Sequence, residues 1–313
     1  VTRVFLIALS AGLASSVFYL AFRSGLPGAL ALTYLAPVPL LAAGLGGGFV
    51  AAMLATGVAA IALLAGVGIK VVGLYLIVTA LPVLIIARHA LKARSDEVTG
   101  KTEWYPAGHI LGWLTLYGLF LLAGITIYFS GAPGGLEGAV RNLLRSFIDQ
   151  VQVGGTGRFP FPIDEIARYF AGMMLSVWLL ITLVDTVLAQ NLLARAGKSL
   201  RPTPSYSQID LPRWLEFAFL IAIIAAFLPG TIGMLGRNAS PLLSTPFFLL
   251  GLAVIHTLSR RIAARGAVLV ALYFLLALVS WLSAVVVLVG LVEQWTSLRQ
   301  RFSAPGNGTQ ENE

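Results

Sequence analysis

The best candidate for a charge buried in an apolar stretch of this chain is Asp185, in Leu183-Val184-Asp185-Thr186-Val187. Acids inside such stretches mark ion pathways, substrate contacts or polar helix contacts, because an uncompensated carboxylate in lipid is costly. Asp185 also stands about one and a half turns from the end of its run. Two roles therefore stay open: a substrate-binding or packing contact facing the interior, and an interfacial carboxylate paired with a nearby arginine.

Other chemistry-bearing residues are sparse. The three histidines, His89, His109 and His256, do not fall at ligand spacing on one helix, so no metal site is expected. The chain has no cysteine, which removes thiolate nucleophiles, disulfides and cysteine metal sites. Arg195-Ala196-Gly197-Lys198-Ser199 contains a Gly-Lys-Ser triplet, but a phosphate-binding loop needs a glycine where Leu192 stands, with a strand before it. The segment reads as a basic loop, and the chain is not expected to hydrolyse ATP itself. Glu216, three residues after Arg213, reads as a surface ion pair. The remaining mid-membrane polar groups are neutral: Tyr34, Thr56, Thr79, Tyr117, Thr126, Thr182, Ser280 and Trp281. A proton or sodium antiporter would carry several carboxylates at that depth. With no nucleophile–base pair and no metal constellation, neither an enzyme nor a cofactor is expected.

The elements that must position these residues are membrane spans. The 313 residues are 58% hydrophobic and 11% charged, far below the roughly one-quarter charge of soluble domains. Nine apolar runs follow one another, at 4–22, 27–45, 47–69, 71–87, 107–129, 166–190, 214–234, 242–258 and 267–292. Each approaches the ~20 residues that a spanning helix needs. Arg3 before an apolar run and Gly12-Leu13-Ala14 faintly resemble a secretory signal, but the run continues to Phe22 and is read as an uncleaved first span. The expected fold is all-α: a polytopic transmembrane bundle of eight or nine spans over residues 1–292, followed by a polar tail at 293–313.

Charge gives the orientation. With nine spans, twelve lysines and arginines collect on the side of Arg3, Arg88, Lys92, Arg195 and Arg260, and nine on the side of Arg23 and Lys70. The positive-inside rule places the former in the cytoplasm. It leaves Leu298-Arg299-Gln300-Arg301 outside unless one run is re-entrant, with the Gly44–Gly48 junction and the short run 242–258 as the places to suspect. The net charge of +8 is read as contact with anionic headgroups, and nucleic acid is not an expected partner, since no basic domain is present.

Between 130 and 164 the pattern changes. Leu136, Val140, Leu143, Leu144, Phe147, Ile148 and Val151 share one helical face, while Glu137–Arg141 and Arg145–Asp149 fall as i,i+4 pairs on the other. An amphipathic helix at about 135–152 on the membrane surface is expected. Gly154-Gly155-Thr156-Gly157 then links it to Phe159-Pro160-Phe161-Pro162. Small residues also form ridges. Ala8, Gly12 and Ser16 recur at every fourth position, as do Gly44, Gly48, Ala52, Thr56 and Ala60, and such ridges let helices approach closely in lipid. They serve packing within the chain or docking on a partner membrane protein.

Several stretches carry a family resemblance. They are Tyr34-Leu35-Ala36-Pro37-Val38-Pro39-Leu40 with Gly44-Leu45-Gly46-Gly47-Gly48; Ser199-Leu200-Arg201-Pro202 with Ile209-Asp210-Leu211-Pro212-Arg213-Trp214; Pro246-Phe247-Phe248-Leu249-Leu250-Gly251; and Gly290-Leu291-Val292-Glu293-Gln294-Trp295. In this order the chain resembles a bacterial family of uncharacterised predicted membrane proteins, the YybS-like proteins. That family is distantly similar to the S components of energy-coupling-factor (ECF) transporters, which bind a small molecule among their helices and dock on a membrane partner driven by ATPases. The resemblance implies an inner-membrane protein that binds or helps move a small molecule or lipid, with the ridge Ala8, Gly12, Ser16 as docking surface. It carries over no ligand residues. The alternative is a non-transporting scaffold or assembly factor.

Overall fold

Two single glycines make the sharpest reversals in the first half of the bundle. The computed structural model describes residues 2–95, 102–152, 162–204, 209–260, 263–279 and 281–296. Gly48 alone joins α3 (Pro37–Gly47) to α4 (Phe49–Val67), and Gly68 alone joins α4 to α5 (Ile69–Tyr75). The two have nearly the same backbone, φ 93°, ψ 167° and φ 89°, ψ 171°. Only glycine enters that region without strain. Ahead of them, α1 (Thr2–Leu20) lies along α4, and α2 (Ala29–Tyr34) leads into α3. After them, α5 passes through a π-helical turn, Leu76–Ala80, into α6 (Leu81–Ala90). A small antiparallel hairpin, β1 (Ala93–Ser95) with β2 (Thr102–Trp104), leads to α7 (Ala107–Tyr128). Then follow α8 (Gly135–Gln152), α9 (Ile163–Arg195), α10 (Trp214–Ala226), α11 (Gly230–Ser259), α12 (Arg265–Leu278) and α13 (Leu282–Thr296).

Among the described residues seven helical stretches are long and apolar enough to cross a membrane: Thr2–Ser24, Ala29–Gly47, Phe49–Val67, Ile69–Ala90, Ala107–Tyr128, Ile163–Arg195 and Gly230–Ser259. The chain is a multi-pass, α-helical membrane protein. The other apolar helices, α10, α12 and α13, have 13, 14 and 15 residues. At 1.5 Å per residue each reaches only about 20–23 Å, against a hydrocarbon core of about 30 Å.

The late runs differ from their sequence reading. Run 214–234 breaks after Ala226, because Pro229 cannot continue a helix and Gly230 turns at φ 69°. The short run 242–258 is part of a 30-residue helix, α11, which begins at Gly230 and holds Pro241 and Pro246 inside it. The polar stretch before it, 235–241, is helical, and two of its side chains find partners on other helices. Arg237 pairs with Glu137 at 2.9 Å, and the Asn238 amide bonds to α9. Run 267–292 is two helices, separated at Val279, where the chain is extended at φ −118°, ψ 89°. Neither proline nor glycine marks that break.

The ends of the bundle alternate as the loop charges require. At one end Leu200 N–H donates to the Leu45 carbonyl, Arg201 donates to the Ala90 carbonyl, and Gly108 lies against the backbone of Asp210. This end gathers Arg88, Lys92, Arg195, Lys198, Arg201 and Arg213. The opposite end carries α8. There Leu136, Val140 and Ile148 are buried, whereas Leu143 and Phe147 remain 61% and 62% exposed. The i,i+4 pairs expected within α8 give way to bonds between elements: Glu137 to Arg237, and Arg141 and Arg145 to Asp164. A helix held against a bundle gains more from those partners than from its own neighbours. Lys101, the linker 154–157 with 159–161, Arg158, Arg261, Ser280 and 298–301 lie outside the described residues.

Close approach holds the helices together. A Cβ on Gly12 would stand 2.5 Å from the Ala55 carbonyl oxygen and 2.7 Å from Val58 Cβ. In α11 and α13, Gly251 faces the Val286 backbone and Gly290 faces the Phe247 backbone, a reciprocal glycine seam. Gly57 in α4, by contrast, has nothing within 4 Å. Gly12→Leu should therefore cost more than ~2 kcal/mol by overpacking and lower the apparent Tm in detergent. Gly57→Leu should leave it unchanged, as thermal unfolding of the two purified variants will show.

Candidate functional site

The longest helix carries the residue that the sequence singled out. Helix α9 starts after Pro162 with Asp164 and Glu165 in its first turn and ends with Arg195 in its last, charges that suit the helix dipole. Leu175, Leu179, Thr182, Asp185 and Ala189 are all buried, at steps of three and four that keep one face toward the bundle. Asp185 is 2% exposed, and among the described residues its Oδ2 has no hydrogen-bond partner. It is an interior carboxylate, and no described cation pairs with it at the interface.

Thr56 Oγ1 and Arg237 Nε are likewise buried without a partner among the described residues, whereas the backbone of the π-helical turn is satisfied. Pro82 lacks the N–H that would serve the Val78 carbonyl, and Leu81 gives its N–H to Leu76, five residues back. Both steps leave carbonyls of the π-helical turn without their α-helical donors. Other helices supply the replacements. Tyr117 of α7 donates its hydroxyl to the Ile77 carbonyl at 2.7 Å, and Trp178 of α9 donates Nε1–H to the Val78 carbonyl at 3.0 Å. The two rings lie 6.0 Å apart. Trp178, Thr182 and Asp185 follow at four and three residues, so Asp185 sits on the same side of α9, two turns further toward the basic end.

A second repair joins α9 to α11. Asn238 is 1% exposed. It receives Gly172 N–H on Oδ1 at 2.9 Å and donates Nδ2–H to the Arg168 and Met234 carbonyls. Residues 168 and 172 are an i,i+4 pair of α9, so one side-chain amide matches one helical peptide pair. Nearby α1 adds Ser15, whose hydroxyl donates to the Ala36 carbonyl and shares a 2.7 Å hydrogen bond with the buried Tyr75.

The ridge of Ala8, Gly12 and Ser16 is buried, and its Gly12 faces α4 of the same chain. Glu216 is buried as well, at 8% exposure, and accepts Trp295 Nε1–H from α13 at 3.0 Å. It is an interhelical acceptor; a surface pair with Arg213 does not form. No group of three or more histidines, cysteines or acids able to hold a metal occurs among the described residues.

At the basic end the structure gathers residues that sequence spacing could not connect. His89 stacks on Trp113 at 5.3 Å and lies 5.4 Å from Tyr105, which meets His109 at 5.8 Å. Trp113 Nε1–H donates to the Tyr105 hydroxyl at 3.1 Å. Lys92 lies over the Tyr105 ring and Arg201 over the Trp104 ring. Burial pushes the Arg201 guanidinium below its ordinary value, because water no longer surrounds the charge. Tyr105, His109, Trp113, Leu116, Pro212 and Trp214 line a cleft of about 160 Å³. The only advance signal was one histidine, His109, among aromatics in one stretch, 104–113.

Residues 13–293 match the family model described as "Predicted membrane protein (DUF2232)". The chain belongs to this family. No curated protein and no solved structure matches it. The DUF2232 match contains Asp185, the π-helical turn, the aromatic cleft and Ser16, while Ala8 and Gly12 precede it.

The donors that repair the π-helical turn can be weighed singly. Tyr117→Phe and Trp178→Phe should each destabilise the protein by about 1 kcal/mol. The double variant should lose less than the sum, since a contact between the two rings is weakened in both single variants and counted once in the double. Urea or thermal unfolding of the four proteins in one detergent provides the cycle.

Proposed function

We propose that this protein is a bacterial inner-membrane subunit that binds a small molecule or lipid and helps move it, without an energy source of its own. In this reading it resembles the YybS-like proteins and, more distantly, the S components of ECF transporters. It is not an enzyme, and its motor belongs to a partner. In this reading α10 provides an eighth crossing, and α8 lies on the membrane surface with Leu143 and Phe147 toward lipid.

The observation that supports the reading is Asp185. Burying a carboxylate without a partner costs several kcal/mol, and a proton or a cationic or hydroxyl-bearing group must offset it. The surrounding helices satisfy the opened backbone positions around them, yet leave this oxygen bare. A ligand that brings an ammonium or hydroxyl group would complete it. The alternative, a scaffold or assembly factor, draws on α12, which has no buried residue and presents Val270, Phe274 and Leu278 outward.

The full chain, purified in nanodiscs formed from its own membranes, should retain a small molecule detectable by mass spectrometry of the extract. Asp185→Asn and Asp185→Leu should lower that retention about tenfold, the cost of a lost charged hydrogen bond. The apparent Tm of the leucine variant should hold or rise, because the bare buried carboxylate is gone. Identical extracts from all three proteins would sink the binding role of Asp185 and favour the scaffold.

A further inference from the structure

We propose that the aromatic cleft at the basic end holds the phosphate headgroup of an anionic phospholipid. Its lining offers hydrogen-bond donors and no carboxylate. Tyr105 already accepts the Trp113 N–H on its oxygen, so its own proton can be given to a ligand. The His109 imidazole and the Trp214 indole N–H add two more donors on the same lining. A phosphate, which only accepts when ionised, is the complement of such a set.

Charge points the same way. Lys92 stands with its ammonium 5.7 Å over the Tyr105 ring, at the edge of the cleft. Arg213 lies between the lining residues Pro212 and Trp214 in the chain, and Arg88, Arg94 and Arg201 belong to the same end. The exposed acids described at this end are Glu103 and Asp210. A cationic headgroup would meet net repulsion there, and an anionic one net attraction.

Size and depth favour a lipid over a soluble anion. The cleft measures about 160 Å³, whereas pockets that enclose a whole metabolite run from roughly 300 to 1,000 Å³. It has room for a phosphate and its glycerol but not for the acyl chains. Those chains would lie outside, along α7, where Trp113 and Trp214 are 44% and 37% exposed. Tryptophans at a span end mark the headgroup depth. Leu116, one turn further along α7, continues the path into the hydrocarbon. The inference is independent of Asp185, which lies on the buried face of α9.

The test uses the full chain in a neutral detergent with three probes: dioleoylphosphatidylglycerol, dioleoylphosphatidylcholine and inorganic phosphate. Native mass spectrometry should show phosphatidylglycerol retained at least about tenfold better than phosphatidylcholine. Lys92→Gln and Tyr105→Phe should each reduce that retention roughly five- to tenfold, while Arg23→Gln, at the opposite end, changes nothing. The Tm of each variant without lipid verifies the fold, and Tyr105→Phe removes only one hydroxyl. Equal retention of the two lipids would overturn the proposal, as would unchanged phosphatidylglycerol binding by both cleft variants. Inorganic phosphate displacing phosphatidylglycerol at equal concentration would assign the cleft to a soluble anion and overturn the lipid.

Discussion

Lipid cannot hydrogen-bond a peptide group, so every irregularity of a spanning helix must be repaired from within the protein. This chain contains several. Pro82 and the π-helical turn leave carbonyls at 77 and 78 without helical donors, and Tyr117 and Trp178 take them. At the seam of α9 and α11, Asn238 satisfies a peptide pair of another helix. Past the end of α6, Arg201 reaches the Ala90 carbonyl, and Gln190 in turn holds the Arg201 carbonyl. Each repair joins two elements far apart in sequence. The polar side chains of this bundle thus serve as its tertiary connections, and its apolar surface serves lipid.

Of the three buried side-chain atoms that lack partners among the described residues, Thr56 Oγ1, Asp185 Oδ2 and Arg237 Nε, only Asp185 brings a carboxylate. An interior that meets its backbone requirements so fully leaves one acid uncompensated on its longest helix. Packing does not demand an acid there, since leucine or threonine fills the neighbouring steps of the same face. The two features with ligand chemistry also differ in depth and sign. Asp185 is acidic, buried and inside the bundle, whereas the cleft at 105–113 and 212–214 is donor-rich, open and at the basic end. An amine or hydroxyl suits the first, and a phosphate suits the second. They need not bind the same molecule.

The alternation of basic and less basic ends follows from the glycine turns and the loop charges together. Gly48 and Gly68 reverse the chain in one residue each, so α3, α4 and α5 cross in strict alternation. Helix α8 then lies against the opposite end through Glu137–Arg237 and Arg141–Asp164. Glu137, Arg141 and Arg145, whose i,i+4 pairs would have stabilised it alone, reach other helices instead. The amphipathic pattern was therefore the right signal for the helix and the wrong one for its partners.

The sequence alone determined the class of the fold, the first six apolar helical stretches and the range of α8. Those properties depend on local hydropathy and charge, which lipid and water sort segment by segment. It also singled out Asp185, because one acid in an apolar run is visible without a structure. The tertiary structure decided what each polar residue meets. It made 235–241 helical and gave Asn238 and Arg237 partners on α9 and α8, and a local reading cannot see those partners. It also split the run 267–292, where neither proline nor glycine gives warning. It brought Tyr105, His109, Trp113 and Trp214 to one cleft from two segments about a hundred residues apart. Contacts between distant segments have no signature in either one, because the energy that selects them belongs to the pair.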